Sequence, residues 1–245
     1  MLMPIGEPFV ILSSVDSTNK YAMQEVHDQL SSHGKAYFAF EQTQGRGQRG
    51  KSWQSAPGEN LILSVVLQIE QPFPKNPFLF SAAMALGCYD FFSKYAGEET
   101  SLKWPNDLYW RDRKAGGLLI ENSLNAGFWK ASVVGFGINI NQTKFDPSLS
   151  NPVSLRQITG KTFDPVLLAK ELCSALAKRW EQWNKEPTKL LEQYNAVLYK
   201  KNQHHTFQTP DGLMEGTVQY VDEQGKLIVL CPDQKAFEFG SLQWY

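Results

Sequence analysis

The chain has 245 residues, of which 42% are hydrophobic and 20% charged, with a formal net charge of −1 at pH 7. This composition is ordinary for a globular protein and lacks the overall basic excess that is typical of nucleic-acid binders. The three cysteines are widely separated and argue against a disulfide framework, while the absence of a signal-peptide pattern or a membrane-length apolar run predicts a cytoplasmic protein that does not contact a membrane.

The first part of the chain predicts strands alternating with helices. Apolar, β-branched runs and turn residues predict strands over 9–12, 37–42, 61–69, 101–109, 116–121 and 129–139, with Pro105 dividing the fourth. Helical spacing of apolar residues predicts helices over 20–30 and 78–95. Asp16 to Asn19 supply the cap residues of the first helix.

The second part predicts two helices and then a change of character. The helices cover 165–184 and 188–199, after a loop-rich stretch over 141–160. From Lys200 onward, short apolar runs are separated by turn sequences, which indicates a small all-β module. We therefore predict two domains, 1–199 and 200–245, and expect the second to need packing against the first because it is small.

A glycine-rich stretch, Gln42 to Trp53, follows the second predicted strand. Within it, three glycines alternate with three cations: Gly45, Arg46, Gly47, Arg49, Gly50 and Lys51. Glycine lets the backbone approach a ligand closely, and the cations can bind phosphate or carboxylate. A mobile basic surface loop is the alternative, and it is the simpler interpretation unless a second motif supports the first.

A second motif lies downstream, and together with other segments it resembles a known family. It reads Lys103-Trp-Pro-Asn-Asp-Leu-Tyr109, followed by Lys114-Ala-Gly-Gly-Leu-Leu-Ile-Glu121. Together with Ser17-Thr-Asn19, the glycine-rich stretch and Gly135-Phe-Gly-Ile-Asn-Ile-Asn141, it resembles the biotin–protein ligases over nearly the whole chain. The resemblance implies an α+β fold: a mixed β-sheet flanked by helices, akin to class II aminoacyl-tRNA synthetases, with a small C-terminal SH3-like β-barrel.

The resemblance also implies a reaction. ATP and biotin give biotinyl-5′-adenylate and pyrophosphate, and the biotinyl group then passes to a lysine of a biotin carboxyl carrier protein, usually the acetyl-CoA carboxylase subunit. Mg²⁺ would arrive with ATP and shield the departing pyrophosphate, so no metal site of the protein's own is expected. Because the biotin carboxylate is already ionised at neutral pH, the first step needs alignment and charge neutralisation, with no protein nucleophile.

Site residues follow from the matching motif positions. The implied biotin site consists of Ser17, Thr18, Asn19, Gln42, Arg46, Gly47, Gln48, Lys114, Gly116 and Gly117. The implied nucleotide site consists of Gly45, Arg49, Lys51, Trp53, Asn106, Lys114 and Asn139, with Trp53 stacking on adenine. The catalytic residues would be Lys114 and Arg46, which supply positive charge, and Asp107, which would orient or deprotonate the carrier lysine. Without the motifs, Ser17 and Thr18 would be simple cap residues, Lys114 a solvated lysine and Trp53 a core aromatic.

Gln48 is a departure from the resemblance. Many relatives carry arginine at this position, where it helps to retain the reactive adenylate. Glutamine keeps hydrogen bonding and loses the charge, which predicts easier adenylate release unless Arg49 or Lys51 compensates.

Two other functions fit parts of the pattern. A lipoate–protein ligase or octanoyl transferase would share the catalytic fold, but the polar set Ser17, Thr18 and Gln42 would have no ureido ring to bind. A non-catalytic biotin or nucleotide sensor would not need Lys114 and Arg46. Because the first motif begins at Ser17, we expect a ligase without the N-terminal helix-turn-helix of family repressors, hence no nucleic-acid binding, acting as a monomer or homodimer.

Overall fold

The computed structural model describes residues 3–74 and 76–244. Its larger part is built on a seven-stranded sheet with the order β1-β2-β3-β7-β6-β5-β4. The strands are β1 (Phe9–Leu12), β2 (Ala36–Ala39), β3 (Leu61–Pro72), β4 (Thr100–Lys103), β5 (Asp107–Trp110), β6 (Arg113–Asn125) and β7 (Phe128–Ile138). Strands β1 and β2 are parallel and the other neighbouring pairs are antiparallel, so the sheet is mixed.

Helices cover both faces of this sheet. They are α1 (Thr18–His27), α2 (Phe78–Ala96), α3 (Leu155–Thr159), α4 (Pro165–Lys185) and α5 (Pro187–Ala196). The main core lies between the sheet and helices α2 to α5. Helix α1 packs on the opposite face, where its Ala22 meets a second cluster formed by Tyr37, Val66 and Val133.

Strand β3 explains how one strand serves both faces. Successive side chains of a strand point to opposite sides, and Leu61, Leu63 and Val65 enter the main core. The residues between them face α1, and Ser64 is fully buried there. A buried hydroxyl in an otherwise apolar central strand needs polar partners, so Ser64 marks the face on which polar chemistry is assembled.

The C-terminal module is a second, five-stranded antiparallel sheet with the order β11-β10-β9-β8-β12. Its strands are β8 (His204–Thr209), β9 (Gly212–Val221), β10 (Leu227–Cys231), β11 (Asp233–Phe237) and β12 (Gln243–Trp244). The module packs on the larger part: the indole of Trp104 donates to the carbonyl of Gly225 at 2.9 Å, and Asn195 of α5 exchanges two hydrogen bonds with the backbone of Val221. The expected packing of a small module on a larger unit is therefore observed.

The predicted fold class is confirmed, with local differences. The segment predicted as one interrupted strand over 101–109 forms the two antiparallel strands β4 and β5, and β3 extends three residues beyond its predicted end. Helix α3 lies in the stretch predicted as loop. It has only five residues, too few for a periodic pattern, and it is held by a capping box between Ser154 and Gln157. Of the predicted domain ranges, residues 1–2, 75 and 245 lie outside the described residues.

Among the described helices, none has the length and apolar composition that are needed to cross a membrane.

Candidate functional site

A cavity of about 770 Å³ opens on the α1 face of the large sheet. The start of α1, the glycine-rich loop and strands β5 to β7 form three of its walls, and the C-terminal module closes a fourth with residues 239–244. The residues that the sequence motifs assigned to biotin, nucleotide or catalysis all line this cavity, except Gly45 and Gly116. The fold thus brings together segments that are up to about 120 residues apart in sequence, and the module adds side chains that the motifs did not include.

At one end of the cavity, a buried hydrogen-bond network surrounds the first turn of α1. Ser17 caps the helix, and Gln42 Oε1 accepts hydrogen bonds from Thr18 N at 2.8 Å and Thr18 Oγ1 at 3.0 Å. Ser64 Oγ lies 2.8 Å from Thr18 Oγ1 and 2.6 Å from Asn19 Oδ1. Ser17, Thr18 and Asn19 are all buried, so this polar cluster is shielded from solvent.

This network has fewer protons than contacts. A hydroxyl carries one proton, so Ser64 can donate to Thr18 or to Asn19 at any one time. Asn19 Oδ1 can only accept, so the Ser64 hydroxyl donates its proton to Asn19. A hydrogen bond between Thr18 and Ser64 then requires Thr18 to donate to Ser64, and Thr18 can no longer donate to Gln42. A ligand that offers N–H donors and a carbonyl acceptor would complete the bonding of such a cluster.

Glu121 connects this network to the glycine-rich loop. Its Oε2 accepts a hydrogen bond from Asn19 Nδ2 at 2.9 Å, and its Oε1 lies 3.4 Å from Arg46 Nη1. The Arg46 side chain is 54% exposed, so this ion pair holds the arginine loosely and contributes little stability by itself. Arg46 is therefore tethered beside the cavity and remains free to turn toward an anionic ligand.

Lys114 and Asp107 form an ion pair in the middle of the cavity wall. Lys114 Nζ lies 2.6 Å from Asp107 Oδ1. The strand carrying Lys114 is fixed by backbone hydrogen bonds to Asn151 and Val153. A cation and a carboxylate in contact, both reachable from the cavity, can neutralise a bound anion and accept or orient a proton.

Several glycines are required by the protein's own packing. A Cβ atom at Gly117 would lie 2.9 Å from Asp107 Oδ1, and one at Gly116 would lie 2.6 Å from the carbonyl oxygen of Gly137. The sequence analysis predicted that both Gly116 and Gly117 line the biotin site. Gly117 does line the cavity, whereas Gly116 lies outside the lining and lets β6 approach β7. Gly45 is similar to Gly116, since a Cβ there would lie 2.3 Å from the carbonyl oxygen of Trp53.

The loop contains two buried polar atoms that have no partner within the described chain. They are Gln48 Oε1 and Trp53 Nε1. The Trp53 ring lies on the sheet against Gly137, where a Cβ atom would be 2.5 Å from the ring. Unpaired buried polar atoms cost free energy, and a ligand in the cavity can supply what these two lack.

Arg49 turns away from the centre of the cavity toward the C-terminal module. Its Nη1 donates to the carbonyl of Gly240 at 3.0 Å, and its guanidinium lies 5.4 Å from the ring centre of Phe239. Its backbone is left-handed, with φ of 56°, in the middle of a short 3₁₀ turn over Gln48–Gly50. Arg49 thereby links the glycine-rich loop to the module across the mouth of the cavity.

Asn106 and Asn139, the expected adenine contacts, use their amide donors on the protein itself. Asn106 Nδ2 donates to the carbonyl of Leu118 at 2.6 Å, and Asn139 Nδ2 donates to that of Val153 at 3.1 Å. The carbonyl oxygens of both side chains and the second amide proton of Asn106 remain available to a ligand, and both side chains stabilise the backbone around Lys114.

The sequence reasoning missed five residues that take part in this arrangement: Ser64, Lys103, Glu121, Phe239 and Trp244. Ser64 and Lys103 carry a local signal, a lone hydroxyl in an apolar strand and a lysine inside a quoted motif. Phe239 and Trp244 carry none, because only the tertiary packing of the module brings them to the cavity.

Comparison with known proteins agrees with this geometry. The sequence model of the Biotin/lipoate A/B protein ligase family matches residues 11–139, a range that contains the first turn of α1, the glycine-rich loop and the Lys114 segment. A biotin–[acetyl-CoA-carboxylase] ligase of Paracoccus denitrificans is 32% identical over 184 residues, which cover 71% of each chain. The chain belongs to the biotin/lipoate A/B protein ligase family.

Other members of this family differ in length. The bifunctional ligase/repressor BirA of Escherichia coli is 32% identical over 183 residues, which are 74% of the present chain and 56% of BirA. The chain thus spans just over half the length of this bifunctional relative.

A superposition on a solved structure includes the C-terminal module as well. The biotin protein ligase from Aquifex aeolicus, in complex with biotin and ATP, superimposes with a TM-score of 0.79 at 24% identity, covering 96% of the present chain and 97% of that chain. At this identity the similarity establishes the fold, and it extends beyond the range of the family model to the five-stranded sheet.

Proposed function

We propose that this protein is an ATP-dependent biotin–protein ligase. It would activate biotin as biotinyl-5′-adenylate and transfer the biotinyl group to a lysine of a biotin carboxyl carrier protein, the acetyl-CoA carboxylase subunit. The observation that carries the proposal is the shared cavity, in which a polar network suited to a ureido ring, a lysine–carboxylate pair and a cationic glycine-rich loop face one another.

The first step joins two anions. A carboxylate oxygen of biotin attacks the α-phosphorus of ATP, the bond from that phosphorus to the bridging oxygen breaks, and pyrophosphate leaves. Lys114 and Arg46 reduce the repulsion between carboxylate and phosphate, and the walls of the cavity hold the two in line. Mg²⁺ would arrive bound to the nucleotide phosphates and shield the departing pyrophosphate.

The second step is acyl transfer. The carrier lysine attacks the acyl carbon of the adenylate as a neutral amine, AMP leaves, and the amine loses a proton. Among the described residues that line the cavity, Asp107 is the only one with a carboxylate side chain. Its ion pair with Lys114 would loosen when Lys114 turns to the adenylate. Asp107 can then orient the incoming amine or accept its proton.

Selectivity for biotin over lipoate or octanoate follows from the network around α1. An acyl chain without a ureido ring would offer no N–H donor to the Thr18–Ser64 pair of hydroxyls, which is short of one proton, and unpaired buried groups are costly. The family includes ligases of both substrate classes, so the network is the feature that favours biotin.

The deciding experiment is pyrophosphate release from MgATP on addition of biotin, lipoate or octanoate. We expect release with biotin alone, together with a rise in the thermal unfolding temperature when biotin and ATP are both present. Tight biotin binding without pyrophosphate release would identify a sensor, and release with lipoate or octanoate would identify the other branch of the family.

Gln48 gives a testable consequence for adenylate retention. Arg49 is engaged with the C-terminal module and does not replace the charge that Gln48 lacks. We therefore expect biotinyl-adenylate to leave the wild-type protein several-fold faster than the Gln48→Arg variant, because a charge-assisted hydrogen bond to phosphate is stronger than a neutral one. Release would be followed by trapping the freed adenylate, with Gln54→Arg, also in the cavity lining, as a control for added charge; equal off-rates in wild type and Gln48→Arg would refute the expectation.

A further inference from the structure

Lys103, at the end of β4, lines the cavity and has no role in the reaction described so far. Its Nζ lies over three aromatic rings, 4.7 Å from the centre of Tyr109, 5.5 Å from that of Tyr199 and 5.1 Å from that of Trp244. Nζ also donates a hydrogen bond to Tyr109 Oη at 3.2 Å. Aromatic faces attract a cation and fix its position, but they do not neutralise it.

Lys103 differs in this respect from three of the other cations of the cavity. Arg46 and Lys114 each have a carboxylate partner, and Arg49 has a backbone carbonyl. Lys103 and Lys51 line the same cavity and form ion pairs with none of the described carboxylates. A half-buried ammonium group without a counter-ion is the local condition that an anionic ligand relieves.

The electrostatic surroundings agree with this geometry. The charged and titratable groups around Lys103 Nζ are Asp107, Asp112, Lys51, Lys114, Tyr109 and Tyr199. Burial is the main cause that lowers the pKa of Lys103 to about 8; Asp107 and Asp112 act to raise this pKa, and Lys114 and Lys51 act to lower it. A bound anion would stabilise the protonated form and raise this pKa.

The order of the strands indicates which part of a ligand Lys103 would meet. Helix α1 and its network lie over β3, β7 and β6, and Lys114 is on β6. Lys103 is on β4, two strands farther out and beside the module. The polar network at α1, Lys114 and Lys103 therefore follow one another across the sheet. If the ureido ring of biotin lies at α1 and its carboxylate lies at Lys114, the phosphates of the nucleotide would lie on the Lys103 side.

We propose that Lys103 is a further binding residue for the β- and γ-phosphates of the nucleotide, the part that leaves as pyrophosphate. Trp244 of the module acts as a positioning residue, because its ring forms one side of the cage that holds Lys103. This inference rests on the proposed ligase function and extends it by assigning a contact for the leaving group.

The test compares two ligands that differ in these phosphates. One is α,β-methylene-ATP with Mg²⁺, added to biotin-saturated protein, and the other is a stable sulfamoyl analogue of biotinyl-adenylate, which has no β- or γ-phosphate. Isothermal titration calorimetry would measure both affinities in wild type, Lys103→Met, Lys103→Arg and Lys200→Met. Lys200 is a matched control, since its Nζ also lies over the Tyr199 ring, at 5.4 Å, but is paired with Asp112 and lies outside the cavity lining.

We expect Lys103→Met to weaken α,β-methylene-ATP binding at least about tenfold and to leave the adenylate analogue within about twofold of wild type, since one charge-assisted contact is lost. Lys103→Arg should retain most of the affinity, and Lys200→Met should change neither ligand. In titrations at pH 8 in buffers of different ionisation enthalpy, wild type and Lys200→Met should take up more protons on binding than Lys103→Met, because an ammonium with a pKa of about 8 is half deprotonated there.

Two results would overturn the inference. One is unchanged α,β-methylene-ATP affinity in Lys103→Met, and the other is an equal loss for both ligands, which would mean that Lys103 only supports the cavity wall. Both leave the ligase function standing, provided that the wild type binds the adenylate analogue and releases pyrophosphate. A wild type that binds neither ligand would instead refute the ligase function, and the role of Lys103 with it.

Discussion

Replacing Lys114 with methionine should lower the rate of biotinyl-adenylate formation about a hundred- to a thousandfold, the usual cost of removing one preorganised electrostatic contact from a reacting site. Methionine keeps most of the aliphatic stem and removes the positive charge that reduces the repulsion between the reacting carboxylate and phosphate. The ion pair with Asp107 is about one-third exposed, so its loss should change the free energy of unfolding little. Single-turnover pyrophosphate release with saturating biotin and MgATP would measure the effect.

Lys130→Met is the matched control for Lys114→Met. Lys130 lies on β7, pairs with Glu70 at 3.6 Å, and is absent from the cavity lining. The control should react at the wild-type rate. A Lys114→Met rate within about threefold of wild type would remove Lys114 from the catalytic centre and leave the charge neutralisation to Arg46.

Replacing Gly135 with alanine should reduce biotin affinity about tenfold to a hundredfold. The added Cβ would lie 2.2 Å from Asn19 Oδ1, and because Gly135 is in the middle of β7 the side chain of Asn19 must move. Moving Asn19 breaks its hydrogen bonds with Ser64 and Glu121 and so disturbs the network at the first turn of α1. Biotin would then leave buried polar groups without partners in the bound state, at a cost of about 1–3 kcal/mol per group, which corresponds to the predicted loss in affinity.

A second glycine separates local damage from general destabilisation. Gly127 lies in the β6–β7 turn with a φ of +80°, and a Cβ there would meet nothing within 4 Å. Gly127→Ala should therefore lower stability through backbone strain and leave biotin affinity unchanged. Titration calorimetry with biotin and urea unfolding of both variants would distinguish the two effects, and wild-type biotin affinity in Gly135→Ala would show that Asn19 is not part of the biotin site.

Local sequence was sufficient to predict the main elements and the glycine-rich loop of this site. Strand β3 and helices α2 and α4 have long, strongly patterned apolar runs, and their positions were predicted within a few residues. The loop from Gln42 to Trp53 was identifiable because glycines and cations alternate in it. In both cases the physical cause acts between residues that are close in sequence.

The remainder of the site depends on contacts that local sequence does not encode. Glu121 ends one of the sequence motifs, but its role was not predicted, because its partners, Asn19 and Arg46, are about 100 and 75 residues away. The same holds for the cage of Lys103, where Tyr199 and Trp244 meet a lysine of a different element. Asn106 and Asn139, which are expected to contact the nucleotide, also donate to the backbone carbonyls of Leu118 and Val153, a structural use that local sequence does not indicate.

The walls of the cavity also set an order of events during protein synthesis. Residues 17–19 leave the ribosome early and residues 243–244 more than 200 residues later, yet both line the same cavity. In a nascent chain that ends at α5, Arg49 has no Gly240 carbonyl to bind and Lys103 has no Trp244 ring beside it. The cavity of such a chain also lacks the wall that residues 239–244 supply, so the enclosed site is complete only after β12 has been synthesised and the module has packed on the sheet.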